Sequence, residues 1–385
     1  MVPKPYHFKM KNKVIYLDSH ASTPVDQDVL STMLPYFTEH YANGNHKAGR
    51  KTVMALENAR FQVSNLIGAK PSEITFTSGA TEAINLALLG LAKANTSERN
   101  HIVTQRTEHK AVLQCVEALK QEGYHITMLD VDEVGRIRLD ELKKVVTNKT
   151  LVVAIMLSNN EIGTVQPIEE IGKISRHSGA KFFCDLTQGV GWYPIDINKM
   201  NIDLAALSAH KFYGPRGVGA LFIKKYNPKT TISPIIFGGG QERGFRPGTH
   251  NIPGIVGLGK ACEIITSNTE NRYLKIRKLR DRLQEKLFGA IKGIRLNGCP
   301  ENRHPGNLNV SIPNISGEQL KEALPNIMFS TSSACSSLSP KPSHVISALE
   351  VSNSVIKSSF RIGINKYNTM EEIDFVANRI IEKSI

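Results

Sequence analysis

Short apolar segments alternate with amphipathic stretches through the middle of the chain. Seven segments are apolar at most positions, a pattern typical of strands that are covered on both faces in a parallel sheet. These segments are residues 74–77, 101–104, 126–129, 151–157, 181–184, 204–208 and 219–223. Stretches with helical spacing lie between them, among them 81–93, 110–121 and 168–178. The alternation predicts an α/β fold with a large, mostly parallel seven-stranded sheet.

The pattern changes after about residue 258. A charged stretch at 270–287 predicts a long helix, residues 307–312 predict a strand, and residues 370–383 predict a final helix. We therefore expect a large domain at 15–260, followed by a smaller α+β domain. The smaller domain would consist of 1–14 and 261–385.

Composition and charge are those of an ordinary globular protein. The chain has 385 residues, of which 41% are hydrophobic and 22% are charged. It carries 48 Lys and Arg against 35 Asp and Glu, a formal net charge of +13. A basic protein can bind polyanions, but these charges are spread along the chain and aromatic residues make up only 6%. We therefore do not expect direct nucleic-acid binding. We expect no membrane association either, since no apolar run approaches the ~20 residues of a membrane span.

The cysteines and the first residues point to a reducing location. Five cysteines are scattered along the chain, at 115, 184, 262, 299 and 335, which is not the pattern of a disulfide framework. No Cys or His spacing suits zinc, so no metal site is expected. Residues 1–13 contain four lysines, no acidic residue and no apolar core, unlike a secretion signal. The cytoplasm is the simplest expectation.

The segment Thr77-Ser-Gly-Ala-Thr-Glu-Ala83 follows a predicted strand and opens a predicted helix. Gly79 permits a tight turn, and the N–H groups of Ala80 and Thr81 would then face an anion at the positive end of the helix dipole. A plain turn capped by Ser78 or Thr81 would have the same sequence. Taken alone, the segment leaves an anion site and a structural turn both open.

Three further segments place polar side chains after predicted strands, where open α/β sheets bind their ligands. Lys211, in Ser208-Ala-His-Lys211, is a candidate to form a Schiff base with a carbonyl cofactor, although most lysines are simply exposed. Asp185 could pair with a protonated ring nitrogen or cap the next helix, and Gln188 could bond a ring oxygen. His109 could stack on a planar cofactor, transfer protons or have a structural role. Together with the preceding turn, these residues indicate a site for pyridoxal 5′-phosphate.

Residues 330–343 contain seven serines and two prolines, a composition typical of a mobile surface loop. Cys335 lies within this segment. A thiol on a mobile loop can enter a pocket and later meet another protein, which a thiol on a rigid strand cannot do. An unreactive loop cysteine is the alternative, but exposed thiols oxidise readily. The other four cysteines lie in regular patterns or an ordinary loop, which indicates structural roles.

On these residues the chain resembles the cysteine desulfurases of the NifS/IscS-like group, in the class V aminotransferase superfamily. The resemblance extends from residue 16 to the final helix. Its most specific motifs are Thr77–Ala83, Glu108-His109, Asn159-Asn-Glu-Ile-Gly163, Ser208–Lys211, Gly238-Gly-Gly-Gln-Glu-Arg-Gly244 with Arg246-Pro-Gly-Thr249, and Ser333-Ala-Cys-Ser336. It implies a fold type I pyridoxal phosphate enzyme that forms a homodimer with active sites at the subunit interface.

The resemblance also implies how the cofactor is held. Lys211 would bind it covalently, and His109 would stack on its ring. Asp185 would pair with the ring nitrogen, and Gln188 would bond the ring oxygen. The residues implied for the phosphate are Ala80, Thr81, Ser208, His210 and, on the phosphate of the partner subunit, Thr249.

The same resemblance implies the substrate and the reaction. Asn160 and Arg361 would hold the substrate carboxylate, for which the planar fork of Arg is well suited. Cys335 would be the nucleophile that attacks the sulfur of cofactor-bound L-cysteine. The products would be L-alanine and a persulfide, which passes to an acceptor protein. The small domain would thus carry the catalytic loop at 330–343.

The sequence departs from the family pattern in places. Ser19-His20-Ala21-Ser22 replaces an Asn-Asn-Ala-Thr-like run, Arg216 stands where Lys is common, and His250 stands where an acid is common. The sequence ends at Ile385, without the tail by which similar housekeeping members contact their iron–sulfur scaffold. We therefore leave iron–sulfur assembly, tRNA thiolation and DNA phosphorothioation open as destinations of the sulfur. The alternatives are another class V lyase, such as a selenocysteine lyase, and a basic binding module on a degenerate pyridoxal fold.

Overall fold

The structure of the protein is a computed structural model that describes residues 14–44, 46–226, 228–267, 269–331 and 342–384. Its strands are β1 (Ile15–Tyr16), β2 (Ile74–Thr77), β3 (His101–Gln105), β4 (His125–Leu129), β5 (Thr150–Ala154), β6 (Lys181–Asp185), β7 (Leu204–Ser208), β8 (Gly219–Ile223), β9 (Arg295–Leu296), β10 (Asn307–Ser311), β11 (Ile327–Met328), β12 (Ser330–Thr331) and β13 (Ser359–Gly363). Its α-helices are α1 (Gln27–Met33), α2 (Pro35–Thr38), α3 (Arg50–Ile67), α4 (Ala80–Lys93), α5 (Lys110–Gln121), α6 (Leu139–Val145), α7 (Ile168–Ser178), α8 (Ile252–Ser267), α9 (Thr269–Ala290), α10 (Gly317–Ala323), α11 (His344–Ser347), α12 (Asn353–Ser358) and α13 (Met370–Ser384).

The large sheet has seven strands in the order β2-β8-β7-β6-β5-β3-β4. Strand β8 is antiparallel to both β2 and β7, and the other neighbouring pairs are parallel. Every residue of β2, β5, β7 and β8 is buried, as expected for strands with both faces covered. The predicted fold class is therefore confirmed. Within the described ranges, no helix is long and apolar enough to cross a membrane.

The two faces of this sheet belong to different apolar cores. Ala205 and Leu207 of β7 pack into a core that includes residues of α3, α7 and α8. Leu204 and Ala206 pack into a second core with residues of α4 and α5. This alternation follows from the two-residue period of a strand. The sheet is thus packed on both faces by apolar side chains.

A smaller four-stranded sheet, in the order β12-β13-β10-β9, forms a third core with α9, α10 and α13. Ile15 and Leu17 belong to this core, and β1 pairs in parallel with β11. The chain then crosses to the large sheet, where the Thr23 N–H donates to the His210 carbonyl at 2.9 Å. Residues 18–22 therefore run between the two sheets. The predicted domain limits, 15–260 against 1–14 with 261–385, stay a prediction.

Candidate active site

A cavity of about 580 Å³ lies at the carboxyl edge of the large sheet. Ten of the residues predicted for the site line it: Ala80, Thr81, His109, Asn160, Asp185, Gln188, Ser208, His210, Lys211 and Arg361. Thr249 is exposed and does not line this cavity. Cys335 lies outside the described residues. The fold thus brings together side chains that are up to 281 positions apart, from Ala80 to Arg361.

The start of α4 forms one wall of the cavity. Gly79 precedes the helix with a φ of +153°, and no side chain caps the helix, so the capped-turn alternative is not what this structure shows. Gly79, Ala80 and Thr81 all face the cavity. Because first-turn N–H groups and the helix dipole both favour an anion, this wall suits a phosphate group.

The helix start approaches the sheet so closely that only glycine fits at position 219. A Cβ on Gly219 would lie 2.5 Å from the Leu207 carbonyl oxygen and 2.7 Å from the Gly79 Cα. Both of these contacts are with backbone, which cannot rotate away. Gly219 therefore fixes the distance between the helix start and Ser208, whose Oγ would lie 3.6 Å from a Cβ on Gly79.

Lys211 follows β7 in a short 3₁₀ turn, Ala209–Lys211. Its Nζ donates hydrogen bonds to the carbonyl oxygens of His20 and Ala21, at 2.6 Å and 2.9 Å. The amine is thus held at the cavity wall by the segment that crosses between the two sheets. An amine at this position suits Schiff-base formation with a carbonyl cofactor.

His210 and Arg216 lie beside the anion wall and share a contact with Ser22. The Ser22 Oγ lies 3.2 Å from the His210 Nδ1 and 3.3 Å from the Arg216 Nε. Burial and the neighbouring charges of Lys211 and Arg216 lower the pKa of His210 to about 4. His210 is therefore neutral at neutral pH and would contact a phosphate by hydrogen bonding, while Arg216 supplies positive charge.

Asp185 ends β6 and is 5% exposed. One carboxylate oxygen, Oδ1, accepts a hydrogen bond from the Thr187 N–H at 2.9 Å. Among the described residues no cationic side chain forms an ion pair with it. A buried carboxylate at a cavity favours a cation on the other side. The protonated ring nitrogen of pyridoxal phosphate meets this requirement, so the site fits that cofactor.

His109 has a structural role and also faces the cavity. It precedes α5, and its Nδ1 accepts a hydrogen bond from the Ala111 N–H at 3.1 Å. In the neutral ring the proton therefore lies on Nε2. Desolvation, with smaller effects of Lys211 and His344, lowers the pKa of His109, while Asp185 acts in the opposite direction.

Arg361 projects from β13 into the cavity and is 6% exposed. Its Nη1 donates to the Asn160 carbonyl at 2.9 Å, and its Nη2 donates to the Asp18 Oδ1 at 2.6 Å and to the Ser330 Oγ at 2.9 Å. The Nε is buried and has no hydrogen-bond partner among the described residues. The guanidinium is thus held in one orientation at the cavity wall.

The four cysteines in the described part of the chain are buried and none of them lines the cavity. Desolvation raises the pKa of Cys115 to about 11 and raises those of Cys184 and Cys262 as well. Since the thiolate is the reactive form, these three are poor nucleophiles. The interpretation of the four as structural residues agrees with this burial.

Sequence reasoning missed several residues of the cavity wall, and the side chains of three of them contact Arg361 or Gln188. Asp18 and Ser330 both contact Arg361, and His20 contacts Gln188 at 3.0 Å. In the sequence, His20 stands out only as a departure from the family pattern. None of the three has a local signature, because each acts through a partner far away in the sequence.

Comparisons with known proteins agree with this geometry. A family model for class-V aminotransferases matches residues 15–376. The chain is 45% identical over 372 residues to the cysteine desulfurase IscS of Anaeromyxobacter sp. (strain Fw109-5), covering 96% of this chain and 92% of that protein. Its structure is similar to that of a NifS-like protein, with a TM-score of 0.89, 38% identity and coverage of 96% and 98%. It is also similar to SspA in complex with cysteine, with a TM-score of 0.81, 34% identity and coverage of 92% and 100%. The chain therefore belongs to the class-V aminotransferases, a pyridoxal 5′-phosphate-dependent family, and within that family to the cysteine desulfurases.

Proposed function

We propose that this desulfurase takes the sulfur of L-cysteine onto Cys335 as a persulfide, releases L-alanine and passes the sulfur to an acceptor protein. The observation that carries the proposal is the convergence, in one cavity, of an uncapped helix start, an amine, a buried carboxylate and an oriented guanidinium. These four features match the phosphate, carbonyl and ring nitrogen of the cofactor and the carboxylate of an amino acid. The solved relative that contains cysteine supports the choice of substrate.

The cofactor contacts follow from this arrangement. Pyridoxal 5′-phosphate, when bound, supplies the electron sink for bond breaking on the amino acid. Lys211 would hold its carbonyl carbon, and Asp185 would hold the ring nitrogen in its protonated form. His109 would lie against the ring, and Gln188 would bond the ring oxygen. The residues for the phosphate would be Ala80, Thr81, Ser208 and His210.

Arg361 and Asn160 would bind the substrate carboxylate. Arg361 lines the cavity, so its guanidinium supplies the positive charge that a carboxylate there requires. The three contacts of the Nη atoms fix the plane of the guanidinium before substrate arrives. Such preorganisation lowers the cost of ordering the site on binding.

Sulfur transfer needs a thiolate that can reach the cavity. Ser330 lines the cavity, and Cys335 lies five residues further along the chain. Five residues of extended chain span at most about 17 Å, so Cys335 lies within that distance of Ser330. The Cys335 thiolate would attack the sulfur of L-cysteine, forming an S–S bond while the carbon–sulfur bond breaks. The electron pair of the broken bond stays with the carbon, which takes up a proton to give L-alanine.

A homodimer would complete the site. Four large apolar residues are each more than half exposed: Leu34, Phe37, Met54 and Phe61. They lie in or beside α1, α2 and α3, three helices that pack against α8. Exposed apolar residues of this size indicate a surface that is covered in the assembly. Thr249 is also exposed and away from its own cavity, which supports the expectation that it contacts the phosphate in the partner subunit.

The acceptor would be a protein of the cytoplasm, where reducing conditions keep a reactive thiol reduced between turnovers. Iron–sulfur assembly, tRNA thiolation and DNA phosphorothioation each need such a sulfur donor. A search for the acceptor therefore begins with proteins that remove the persulfide from Cys335.

The proposal is tested on cofactor-loaded protein given L-cysteine and a thiol reductant, with alanine and sulfide quantified. We expect equal amounts of the two products from the wild type and from Cys115→Ala, in which a buried cysteine away from the cavity is removed. We expect neither product in catalytic amounts from Cys335→Ala. Full turnover by Cys335→Ala would contradict the proposed role of that residue. Alanine from selenocysteine but not from cysteine would contradict the choice of substrate.

A further inference from the structure

His20, in the segment that departs from the family pattern, forms part of the cavity wall. Its side chain is buried, with 3% of the residue exposed. Its ring packs edge-on against His304, with ring centroids 4.5 Å apart, and His304 packs in the same way against Trp192 at 4.9 Å. On the other side, His20 meets the amide of Gln188. The imidazole is therefore confined between an aromatic cluster and a residue assigned to the cofactor.

Two contacts determine which way the Gln188 amide points. One of its amide atoms lies 3.0 Å from the His20 carbonyl oxygen, and the other lies 3.0 Å from the His20 Nδ1. A carbonyl oxygen can only accept, so the amide nitrogen must face it. The amide oxygen then faces Nδ1 and must receive a proton from it. This requirement settles the tautomer: His20 carries its proton on Nδ1.

The surroundings keep the ring neutral. Burial, with the positive charges of Arg361 and Lys211, outweighs the opposing contacts with Gln188 and the Gly306 backbone and lowers the pKa of His20 to about 3, so the ring is neutral at neutral pH. The Nε2 is buried without a hydrogen-bond partner among the described residues. The neighbouring His304 accepts at its Nδ1 from the Gly306 N–H at 3.1 Å, so its own proton lies on Nε2. Two packed histidines therefore hold opposite tautomers.

The consequence lies on the cavity side of Gln188. The His20 carbonyl accepts one N–H of Gln188 and the His20 Nδ1–H donates to its amide oxygen, so the second N–H is the donor that Gln188 can offer to the cavity it lines. We propose that His20 is a positioning residue: its carbonyl sets the orientation of the Gln188 amide, and its imidazole holds the amide oxygen in place, so that Gln188 presents a hydrogen-bond donor toward the ring oxygen of the cofactor. A donor there stabilises that oxygen as an anion, whereas an amide oxygen would repel it. This inference rests on the proposed assignment of Gln188 to the ring oxygen.

The tautomer can be measured directly. In protein labelled with ¹⁵N-histidine, with and without bound cofactor, the His20 resonances are identified by their loss in His20→Asn. We expect a protonated Nδ1 and an unprotonated Nε2 at neutral pH in both forms. A proton on Nε2, or on both nitrogens, would overturn the inference, and this measurement needs no catalytic activity.

A double-mutant cycle tests the role toward the cofactor. We expect His20→Leu and Gln188→Leu each to weaken cofactor retention by about tenfold, the size of one hydrogen bond to a charged group. The double variant should lose no more than either single variant, because both remove the same hydrogen bond. His20→Asn, whose amide N–H can donate to the Gln188 oxygen, should restore most of the retention and the visible absorbance of the bound cofactor. Losses that add, or wild-type retention in His20→Leu, would overturn the inference.

These outcomes separate the inference from the proposed function. If wild-type protein makes no alanine from L-cysteine, the proposed function fails whatever the tautomer of His20. If the wild type turns over L-cysteine but the tautomer is wrong or the losses add, only the role of His20 fails.

Discussion

A buried ion pair anchors the loop that leads to Thr249. Glu242 and Arg60 are paired through both carboxylate oxygens, each at 2.8 Å from a guanidinium nitrogen. Glu242 also accepts from the Phe76 N–H of β2 at 2.9 Å and contacts His250 at 2.8 Å. The side chains of Arg60 and Glu242 are only 6% and 1% exposed. Removing Glu242 would therefore leave the buried Arg60 charge paired only with the exposed carboxylate of Glu57, at 3.2 Å.

Replacing Glu242 by Gln keeps the shape and removes the charge. The hydrogen bonds and the charge of Arg60 outweigh burial and lower the pKa of Glu242 to about 2 from 4.5. A shift of this size corresponds to roughly 3 kcal/mol of folding free energy at neutral pH. Breaking a buried pair on one side costs about 3–5 kcal/mol. We therefore expect Glu242→Gln to lower the free energy of unfolding by at least ~3 kcal/mol.

The matched control is an exposed ion pair with a similar distance between its charged atoms. Glu169 and Lys199 lie 2.7 Å apart, with side chains 35% and 68% exposed. Water screens such a pair, so Glu169→Gln should change the free energy of unfolding by less than ~1 kcal/mol. Urea unfolding of the cofactor-free variants at neutral pH measures both values. Equal losses in the two variants would refute the reasoning.

The pH dependence gives an independent check with a definite sign. The pKa of Glu242 is lower in the folded state, so its contribution is fully present above pH 4.5 and is lost as the pH falls toward about 2. The stability difference between wild type and Glu242→Gln should therefore shrink through this window. A difference that stays constant or grows as the pH falls would show that the carboxylate charge does not stabilise the fold.

Two further predictions concern the cavity. Arg361→Lys should raise KM for L-cysteine roughly 10- to 100-fold and leave cofactor retention unchanged, because an ammonium cannot reproduce the planar fork; steady-state kinetics and the absorbance of bound cofactor test this, and an unchanged KM would contradict it. Gly219→Ala should destabilise the fold by about 1–3 kcal/mol and weaken cofactor retention, since its Cβ would lie 2.5 Å from the Leu207 oxygen. Gly289→Ala, where no atom lies within 4 Å of the added Cβ, is its control, and the same urea unfolding measures both; equal stability of the two variants would contradict the prediction.

The elements of the large sheet were predictable because burial on both faces leaves continuous apolar runs between turn residues. Strands β2, β7 and β8 have the predicted limits, as do α5 and α7. The apolar run at 151–157 predicts a strand that reaches residue 157, but β5 ends at Ala154. The next residues still donate hydrogen bonds to β6, from Ile155 to the Phe183 oxygen and from Leu157 to the Asp185 oxygen. The apolar run therefore marks the buried segment correctly and overstates the regular strand.

The lining of the cavity was predictable where residues end a strand or come soon after it, since the carboxyl ends of parallel strands meet at one edge. Lys211 and Asp185 are of this kind. Contacts between distant segments were not predictable, because no local pattern encodes them. His20 and Gln188 are 168 positions apart, and Asp18 and Arg361 are 343 positions apart. These contacts depend on residues 18–22 crossing between the two sheets, which only the folded structure shows.

The most direct test of the central claim is to locate the sulfur after a single exposure to L-cysteine without reductant. Cofactor-loaded protein is quenched, its peptides are separated, and the mass of the peptide that contains residue 335 is measured. The account predicts that this peptide gains the mass of one sulfur atom, in step with one alanine released per active site, and that Cys335→Ala gains none. Alanine release with the sulfur on another cysteine, or with no sulfur bound to the chain, would contradict the account.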